Sequence, residues 1–134
     1  MIKINIKKKL AGAAILVMNT EGQILLLKRA PISRFAPDKW GFPGGKIEKG
    51  ETPLQAAVRE TEEETQLKVQ KPQSLGIFND AVAAFFTNAF EGDVKIDFEH
   101  TAWRWVTPDE LSDYDLAPSV LDIYEKVRKI NERY

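Results

Sequence analysis

Three glutamates near the middle of the chain have a spacing that suits the binding of one metal ion. Glu60, Glu63 and Glu64 lie in a segment that begins at Thr52 with the residues TPLQ. A T-x-x-Q capping box with proline at the first helical position predicts that a helix starts here. At about 100° per residue the three carboxylates share one flank of this helix, and Glu62 points to the opposite side. Clustered carboxylates without His or Cys suit a hard cation such as Mg²⁺ or Mn²⁺.

A helix without a ligand would be destabilised by this cluster. Glu60 and Glu64 are like charges four residues apart, which costs about 0.2–0.5 kcal/mol in an isolated helix. Both lie in the C-terminal half, where the helix dipole disfavours negative charge. A solvated acidic face is the alternative interpretation, and Arg59, four residues before Glu63, would weaken the acidity of the cluster. However, a glycine-rich bend at residues 41–51 directly precedes the helix, and such a bend lets the backbone approach a bound phosphate or metal closely.

The elements that must position these acids are predicted from hydrophobic periodicity. Apolar side chains recur at helical spacing at Leu54, Ala57 and Val58, and Thr61 adds its methyl group. These residues predict the face of the helix that packs on a sheet. Apolar runs predict strands at residues 2–6, 11–18, 23–28, 73–79, 82–90 and 102–106. A second helix is predicted from Pro118, with an apolar stripe at Val120, Ile123, Val127 and Ile130. Proline and glycine predict loops at residues 30–39 and 41–51.

Length and composition exclude several classes of protein. A chain of 134 residues predicts one domain, residues 1–134. The absence of cysteine excludes disulfides, a thiol nucleophile and thiolate metal sites. The single histidine, His100, excludes a metal site with two imidazole ligands, and we expect it to lie at the surface or in a turn. A net charge of −1 argues against a dedicated nucleic-acid-binding protein.

The sequence also bears on location. No apolar run approaches the length of a membrane span, and the first ten residues lack the apolar region of a secretory signal. We therefore expect a cytoplasmic protein that does not contact a membrane. Lys7, Lys8 and Lys9 are interpreted as a solvated strand edge, with an anion-steering patch as the alternative.

Residues 45–67, GKIEKGETPLQAAVRETEEETQL, resemble the Nudix box, a pattern of G, five residues, E, seven residues and R-E-U-x-E-E-x-G-U, where U is aliphatic. Six glycine or charged positions are in register, at Gly45, Glu51, Arg59, Glu60, Glu63 and Glu64. The lead-in WGFPG and the later stretch RWVTPDEL extend the resemblance over most of the chain. Two positions differ, since Thr61 replaces an aliphatic residue and Gln66 replaces a glycine. A glutamine that ended the helix in the left-handed conformation would cost about 1 kcal/mol relative to glycine.

The resemblance implies a fold and an activity. The expected fold is α+β, an α/β/α sandwich with a mixed β-sheet between helices, which agrees with strands and helices that do not alternate strictly. The expected activity is Mg²⁺- or Mn²⁺-dependent cleavage of the pyrophosphate linkage in a nucleoside diphosphate joined to another moiety. A nucleotide sugar, an ADP-ribose-like compound or a (d)NTP would qualify as substrate. An RNA 5′-pyrophosphohydrolase and a non-catalytic nucleotide sensor are the alternatives, although sensors usually lose acids of the box and this chain keeps them all.

The resemblance also assigns roles to residues of the box. Glu60, Glu63 and Glu64 would bind the metal, with the carbonyl of Gly44 as a further ligand. Either Glu63 or Glu64 could accept the proton of the attacking water. A further acid is expected from a later segment, where Glu99 is the candidate and the competitors are Asp97 and Asp80.

Other roles lie around the metal ligands. The resemblance implies that Glu51 holds Arg59 and that Arg59 orients the acidic flank. Candidate substrate-binding residues, for contact with phosphate or stacking on a nucleobase, are Arg29, Phe35, Trp40 and Phe78. The expected partner is a small nucleotide, nucleic acid is not favoured, and the sequence leaves a homodimer open.

Overall fold

The computed structural model describes residues 10–132, so the predicted strand at residues 2–6 and the lysines at 7–9 lie outside the described residues. The strands are β1 (Gly12–Val17), β2 (Ile24–Arg29), β3 (Trp40–Gly41), β4 (Gly44–Lys46), β5 (Lys68–Gln70), β6 (Gln73–Phe78), β7 (Val82–Thr87), β8 (Ala89–Glu91) and β9 (His100–Val106). The helices are α1 (Pro53–Thr65) and α2 (Val120–Glu132), and a short 3₁₀ helix covers Pro108–Asp113. Within residues 10–132, no helix has the length and apolar character needed to cross a membrane.

The strands form three sheets. The central one is mixed, with strand order β4-β1-β7-β6. In it β1 and β7 run parallel, from Gly12 opposite Val82 to Val17 opposite Thr87, while β4 and β6 are antiparallel to their neighbours. A second, antiparallel sheet has the order β3-β2-β9, and β5 pairs with β8.

The side chains of β1 and β2 alternate between two hydrophobic clusters. One cluster joins Leu16 and Leu26 to the α2 residues Val120, Ile123 and Val127. The other joins the intervening side chains Ile15, Val17, Leu25 and Leu27 to the α1 residues Ala56 and Ala57. Because successive side chains of a strand point to opposite faces, the two helices lie on opposite sides of these strands. The expected α+β sandwich, with mixed sheet between helices, is confirmed.

Several element boundaries differ from the predictions. Residues 41–51 are not a continuous loop, since β4 lies within them and pairs with β1. The predicted strand at 82–90 divides after Thr87, whose hydroxyl donates to the carbonyl of Gln70 and accepts from Ala89 N–H. Beyond this point β8 leaves the central sheet and pairs with β5. The short strand β5 itself was not predicted. Helix α2 starts at Val120 and not at Pro118, because Ser119 has a positive φ of 77°.

Helix α1 begins as predicted but packs differently. The capping box is present, with Gln55 N–H donating to Thr52 Oγ1 (3.1 Å) and Thr52 N–H to Gln55 Oε1 (2.9 Å). The predicted contact face is partly wrong, because Leu54 is 39% exposed. Ala57 and Thr61 are buried as predicted, and the other buried residues of α1 are Ala56, Glu64 and Thr65. Small side chains therefore bring the helix close to the sheet, and the buried face of the last turn includes a glutamate, Glu64.

The C-terminal end of α1 is closed by Gln66 and by a later segment of the chain. Gln66 has φ 63° and ψ 12°, the left-handed conformation, and its N–H donates to the carbonyl of Glu62 (2.8 Å). Two further carbonyls of the last turn accept hydrogen bonds from the segment that precedes β9. Lys95 N–H donates to the carbonyl of Thr65 (2.9 Å), and Asp97 N–H donates to the carbonyl of Glu64 (3.3 Å). These bonds satisfy carbonyls that a helix end leaves without partners.

Replacing Gln66 by glycine tests the strain at this helix end. The side chain of Gln66 is exposed, so the substitution removes little packing while it relieves the left-handed conformation. Gln66→Gly is expected to raise the free energy of unfolding by up to about 1 kcal/mol, measured by urea denaturation. Gln66→Ala, which keeps the strain, is the matched control and should give no gain. A glycine variant no more stable than the alanine variant would contradict the prediction.

Candidate functional site

The guanidinium of Arg59, in the second turn of α1, forms a paired ion contact with Glu51. Arg59 Nε lies 2.7 Å from Glu51 Oε2, and Arg59 Nη2 lies 2.9 Å from Oε1. The backbone N–H of Glu48 also donates to Glu51 Oε1 (2.9 Å). The Arg59 contact, and secondarily this backbone donor, lower the pKa of Glu51 to about 2. Glu51 is thus held as an anion that fixes the orientation of Arg59.

The same guanidinium contacts the acids of α1. Arg59 Nη1 lies 2.8 Å from Glu60 Oε1 and 3.2 Å from Glu63 Oε2, and Nη2 donates to the carbonyl of Lys46 (3.1 Å). Burial raises the pKa of Glu60, while Arg59 opposes that shift. One arginine therefore holds Glu60 and Glu63 on the side of α1 that faces β4. The side chain of Glu63 is the more exposed of the two, at 57%.

Glycine at position 45 makes room for Glu60. A Cβ atom on Gly45 would lie 2.6 Å from Cδ of Glu60, and one on Gly44 would lie 2.3 Å from the carbonyl oxygen of Ala13. Real Cβ atoms do not approach other atoms this closely, so the backbone contact at Gly44 requires glycine, whereas a Cβ on Gly45 would force the carboxyl group of Glu60 to move. The prediction that this bend brings backbone close to a ligand remains a prediction, since the observed close approach is to protein atoms.

Glu64 has different surroundings from its neighbours. It is 2% exposed, and its Oε1 accepts a hydrogen bond from the N–H of Gly44 (2.8 Å). Burial raises the pKa of Glu64 to about 9, with smaller contributions from the negative charges of Glu60, Asp97 and Glu99, while the Gly44 hydrogen bond opposes the shift. Without a cation, Glu64 therefore carries a proton at neutral pH.

His100 faces Glu64. Of the two predicted positions, surface or turn, the surface is wrong, whereas its N–H does close a turn by donating to the Asp97 carbonyl (3.3 Å). It is only 6% exposed, at the start of β9. Its Nδ1 lies 2.8 Å from Asp97 Oδ1 and its Nε2 lies 3.8 Å from Glu64 Oε2. Ligand atoms of Glu64, Asp97 and His100 all lie within 4.8 Å of one another. Asp97, named as a competitor of Glu99, is thus the acid of this segment that the structure brings next to Glu64.

Glu99 lies near the acids of α1 without touching them. Its side chain is exposed, and its negative charge contributes to the raised pKa values of Glu60 and Glu64. Its backbone carbonyl accepts a hydrogen bond from Ala30 N–H (2.9 Å), which places the loop after β2 beside it. Asp80, the other competitor, lies in the turn between β6 and β7.

The candidate substrate-binding residues fall into two groups. Arg29 and Phe35 contact each other at the loop after β2, with Arg29 Nε donating to the Phe35 carbonyl (2.6 Å) and the guanidinium carbon 5.7 Å from the ring centroid. Trp40 and Phe78 instead pack against the hydrophobic cluster on the α2 side, where Trp40 meets Tyr114 edge to face at 5.1 Å. A cavity of about 330 Å³ also lies on that side, lined by residues that include Met18, Pro108, Tyr124 and Val127.

The contact between Asp97, His100 and Glu64 was not predicted. Glu64 is distant in the chain from Asp97 and His100, and no local periodicity relates a helix to the segment before a strand. The only available signal was chemical, because a lone histidine three residues after an aspartate could pair with it. Whether that pair lay on the surface or under α1 depended on the packing of the 92–99 segment.

Glu64→Gln is expected to stabilise the metal-free protein, and more so at higher pH. In the unfolded chain Glu64 ionises near its ordinary pKa of 4.5, whereas in the fold it ionises near about 9. Between these values the folded state holds a proton that the unfolded state has lost, so this group lowers stability as pH rises. A neutral glutamine still accepts from Gly44 and removes this dependence.

The measurement is the unfolding temperature in EDTA from pH 5 to pH 9. The gain of Glu64→Gln over the wild type should be small at pH 5 and should grow to a few degrees at pH 9. Glu62→Gln, on an exposed position of the same helix, is the matched control and should show no such trend. A gain for Glu64→Gln that does not depend on pH would contradict the raised pKa.

Comparison with known proteins identifies a family. The family model of the NUDIX domain matches residues 8–127. A putative 8-oxo-dGTP diphosphatase of Bacillus subtilis (strain 168) is 35% identical over 106 residues, which cover 75% of this chain and 68% of the relative. A CTP pyrophosphohydrolase of Escherichia coli (strain K12) is 30% identical over 116 residues, covering 81% and 84%.

A solved structure agrees with these matches. The crystal structure of a MutT NUDIX hydrolase from Burkholderia pseudomallei superposes with a TM-score of 0.77 at 25% identity, and the alignment covers 90% of this chain and 98% of that one. The sequence resemblance in residues 45–67 and the sandwich of helices and sheet are thus accounted for together. The chain belongs to the Nudix hydrolase family, enzymes that act on phosphorus-containing anhydrides.

Proposed function

We propose that this protein is a divalent-metal-dependent pyrophosphohydrolase of a nucleoside triphosphate. The family membership gives the class of reaction, and the metal, the substrate and the residue roles are the proposal. The observation that carries it is that burial raises the pKa of both Glu60 and Glu64 on α1, and that the charge of Glu60 adds to the shift of Glu64. Arg59 joins the more exposed Glu63 to Glu60. Neighbouring carboxylates in a partly buried position are unfavourable without a positive charge, and a cation would remove that penalty.

The donor atoms fit a hard divalent cation. The acids of α1 offer carboxylate oxygens, and the oxygen ligands that Mg²⁺ and Mn²⁺ prefer are present without any thiol. Glu64 has no Lys or Arg ion pair among the described residues, so a bound cation would supply the positive charge that favours its ionised form. In this proposal the ligands are Glu60, Glu63, Glu64 and the carbonyl of Gly44, with Glu99 or Asp97 as the acid from the later segment.

A bound Mg²⁺ or Mn²⁺ would neutralise the phosphates and lower the pKa of a water molecule. The chain itself supplies the remaining functions. Glu63, the most exposed of the three acids, is available to accept the proton of that water. Glu51 holds Arg59, and Arg59 keeps Glu60 and Glu63 in place, which is a positioning role comparable to that of hydrogen-bonded partners behind metal ligands.

The substrate class is inferred from the names of the relatives, and the substrate-binding residues are inferred from their positions relative to the acids. The two curated relatives are named for 8-oxo-dGTP and CTP hydrolysis, which favours a nucleoside triphosphate over a nucleotide sugar or an ADP-ribose-like compound. Arg29 and Phe35 lie on the loop that hydrogen-bonds to Glu99 through Ala30, so we assign them to the edge of the substrate site. Trp40 and Phe78 would contact a base only if it reached the α2 side of the sheet.

The proposal is tested by turnover with Mg²⁺ on a panel of (d)NTPs, 8-oxo-dGTP, nucleotide sugars, ADP-ribose and dinucleoside polyphosphates. We expect release of nucleoside monophosphate and pyrophosphate from a nucleoside triphosphate, abolished by EDTA. Turnover of a nucleotide sugar or ADP-ribose alone would overturn the substrate assignment. Activity confined to 5′-triphosphate RNA, added as a separate arm, would favour the RNA alternative.

A pair of neighbouring variants tests the metal-ligand assignment. Glu63→Gln removes a charge from the acidic side of α1, and turnover should fall by about a hundredfold or more, because a metal supplies several kcal/mol to such a reaction. Glu62→Gln removes a charge from an exposed position of the same helix and should change turnover less than about twofold. Both should unfold at nearly the wild-type temperature.

Steady-state kinetics at saturating Mg²⁺, with thermal unfolding as a check on the fold, makes the comparison. Near-normal turnover by Glu63→Gln would remove it from the ligand set. A large loss in Glu62→Gln would show that the catalytic side of α1 has been assigned incorrectly.

A further inference from the structure

Three large apolar side chains are exposed on two segments beside the acids of the site. They are Ile32 (88% exposed), Phe35 (56%) and Phe98 (88%), and together they are called the apolar patch. The loop after β2 carries the first two, and the segment before β9 carries the third. The other large apolar side chains exposed within residues 10–132 lie on α1, β6 and α2, at Leu54, Ile77 and Leu121. Half of this exposed apolar surface therefore belongs to two short segments.

A backbone hydrogen bond joins these two segments. Ala30 N–H donates to the carbonyl of Glu99 (2.9 Å), at the end of the β2–β9 pair. Phe98 comes directly before Glu99, and Ile32 comes two residues after Ala30. Both side chains thus belong to residues at most two positions from one hydrogen bond. Exposed apolar groups that are concentrated in this way are typical of a binding surface.

The loop after β2 is held in one conformation by its own contacts. Ser33 N–H donates to the carbonyl of Ala30 (3.1 Å), which closes a turn around Ile32. Arg29 Nε donates to the carbonyl of Phe35 (2.6 Å), and the guanidinium carbon lies 5.7 Å from the centroid of the Phe35 ring. A loop that is already ordered loses little conformational entropy when it binds a ligand.

The same loop carries positive charge that no acid neutralises. Neither Arg29 nor Arg34 forms an ion pair within the part of the chain that the structure describes. Arg29 lies opposite His100 in the β2–β9 pair, and His100 faces Glu64. The guanidinium groups therefore lie near the acids of the site. A ligand that complements this surface has both an anionic part and an apolar, planar part, as a nucleotide does.

Packing does not account for the exposed rings. Trp40 and Phe78 contact the hydrophobic cluster on the α2 side, so they contribute to the core. Neither cluster of the described residues includes Ile32, Phe35 or Phe98. An apolar side chain that stays in water contributes no burial energy to folding. The apolar patch is thus available to a ligand at no loss of core packing.

We propose that the apolar patch of Ile32, Phe35 and Phe98 binds the base of the nucleotide substrate, with the Phe98 ring stacked on the base. The inference rests on the proposed function, since it takes a nucleotide to be the substrate. It adds that the base lies at the β2 loop and the segment before β9, and not on the α2 side. A ring stacked on the base contacts it equally before and during the reaction, so Phe98 contributes to affinity and not to the chemical step.

Three substitutions separate stacking from a general effect of surface change. Phe98→Ala removes the ring, whereas Phe98→Trp keeps an aromatic surface. Ile77→Ala is the matched control, because it truncates another exposed apolar side chain, 60% exposed on β6. None of the three changes a buried residue, and thermal unfolding verifies that each variant folds.

The first measurement is steady-state kinetics with Mg²⁺ on the nucleotide that the wild type hydrolyses fastest. We expect the KM of Phe98→Ala to rise about tenfold, as for the loss of one stacked ring, with kcat within about twofold of the wild-type value. Phe98→Trp and Ile77→Ala should keep a KM within about twofold of the wild-type value. An unchanged KM in Phe98→Ala, an equal rise in Ile77→Ala, or a loss confined to kcat would overturn the proposal.

Inorganic tripolyphosphate, used as a competitive inhibitor, distinguishes the base from the phosphates. Because it has no base, its inhibition constant should agree within about twofold between the wild type and Phe98→Ala. An equal weakening of tripolyphosphate and nucleotide would show that Phe98 acts on the phosphates or on the order of the acids. That result would also overturn the proposal.

The outcomes for the proposed function and for this inference are distinct. If the wild type hydrolyses no nucleotide, both fail. If it hydrolyses one and Phe98→Ala keeps the wild-type KM, the inference alone fails. Sedimentation velocity tests the other occupant, a second copy of this chain. A wild-type dimer that becomes a monomer in Phe98→Ala, with KM unchanged, would assign the apolar patch to self-association.

A second measurement requires no variant. In protein with ¹³C-labelled isoleucine δ1 methyl groups, a non-hydrolysable analogue of the nucleotide should shift the Ile32 resonance through the ring current of the base. Tripolyphosphate should leave that resonance in place, and the Ile77 methyl group should respond to neither ligand. An Ile32 resonance that the nucleotide analogue does not move would overturn the proposal.

Discussion

The arrangement of the site depends on the electrostatic repulsion between carboxylates on α1 and on the single guanidinium that opposes it. Arg59 contacts Glu51, Glu60 and Glu63 within 3.2 Å. An exposed ion pair contributes little to stability, but a guanidinium shared by several partly buried acids fixes their relative positions. Glu64 has no ion pair with Arg59 among the described contacts, and its carboxyl group accepts a hydrogen bond from Gly44 N–H instead.

The packing of α1 on the sheet makes these contacts available. Alanines at 56 and 57 let the helix approach β1, and glycines at 44 and 45 let β4 pass close to both β1 and Glu60. A Cβ atom on Gly44 would clash with β1, and one on Gly45 would displace the carboxyl group of Glu60. The same closeness buries Thr61, whose hydroxyl has no hydrogen-bond partner among the described residues, and it accounts for the burial of Glu64.

The sequence predicts those features that depend on residues close together in the chain, and not those that depend on distant ones. The capping box at Thr52 and the clustering of Glu60 and Glu63 depend on neighbours within one or two helical turns, and the helix start was predicted correctly. The exposure of Leu54 and the burial of His100 depend on which segments pack above α1. Such contacts join residues that are distant in the chain, and no local periodicity encodes them.

The hydrogen bonds from the segment before β9 to the end of α1 have a mechanical consequence. Lys95 and Asp97 donate to the last carbonyls of the helix, while the same segment supplies Asp97 and Glu99 to the acidic region. Local opening of this segment would release the helix end and withdraw those acids in a single event. The positions of Asp97 and Glu99 and the fraying of the α1 terminus therefore depend on the same opening equilibrium of this segment. The exchange rates of the Lys95 and Asp97 amide hydrogens measure that equilibrium.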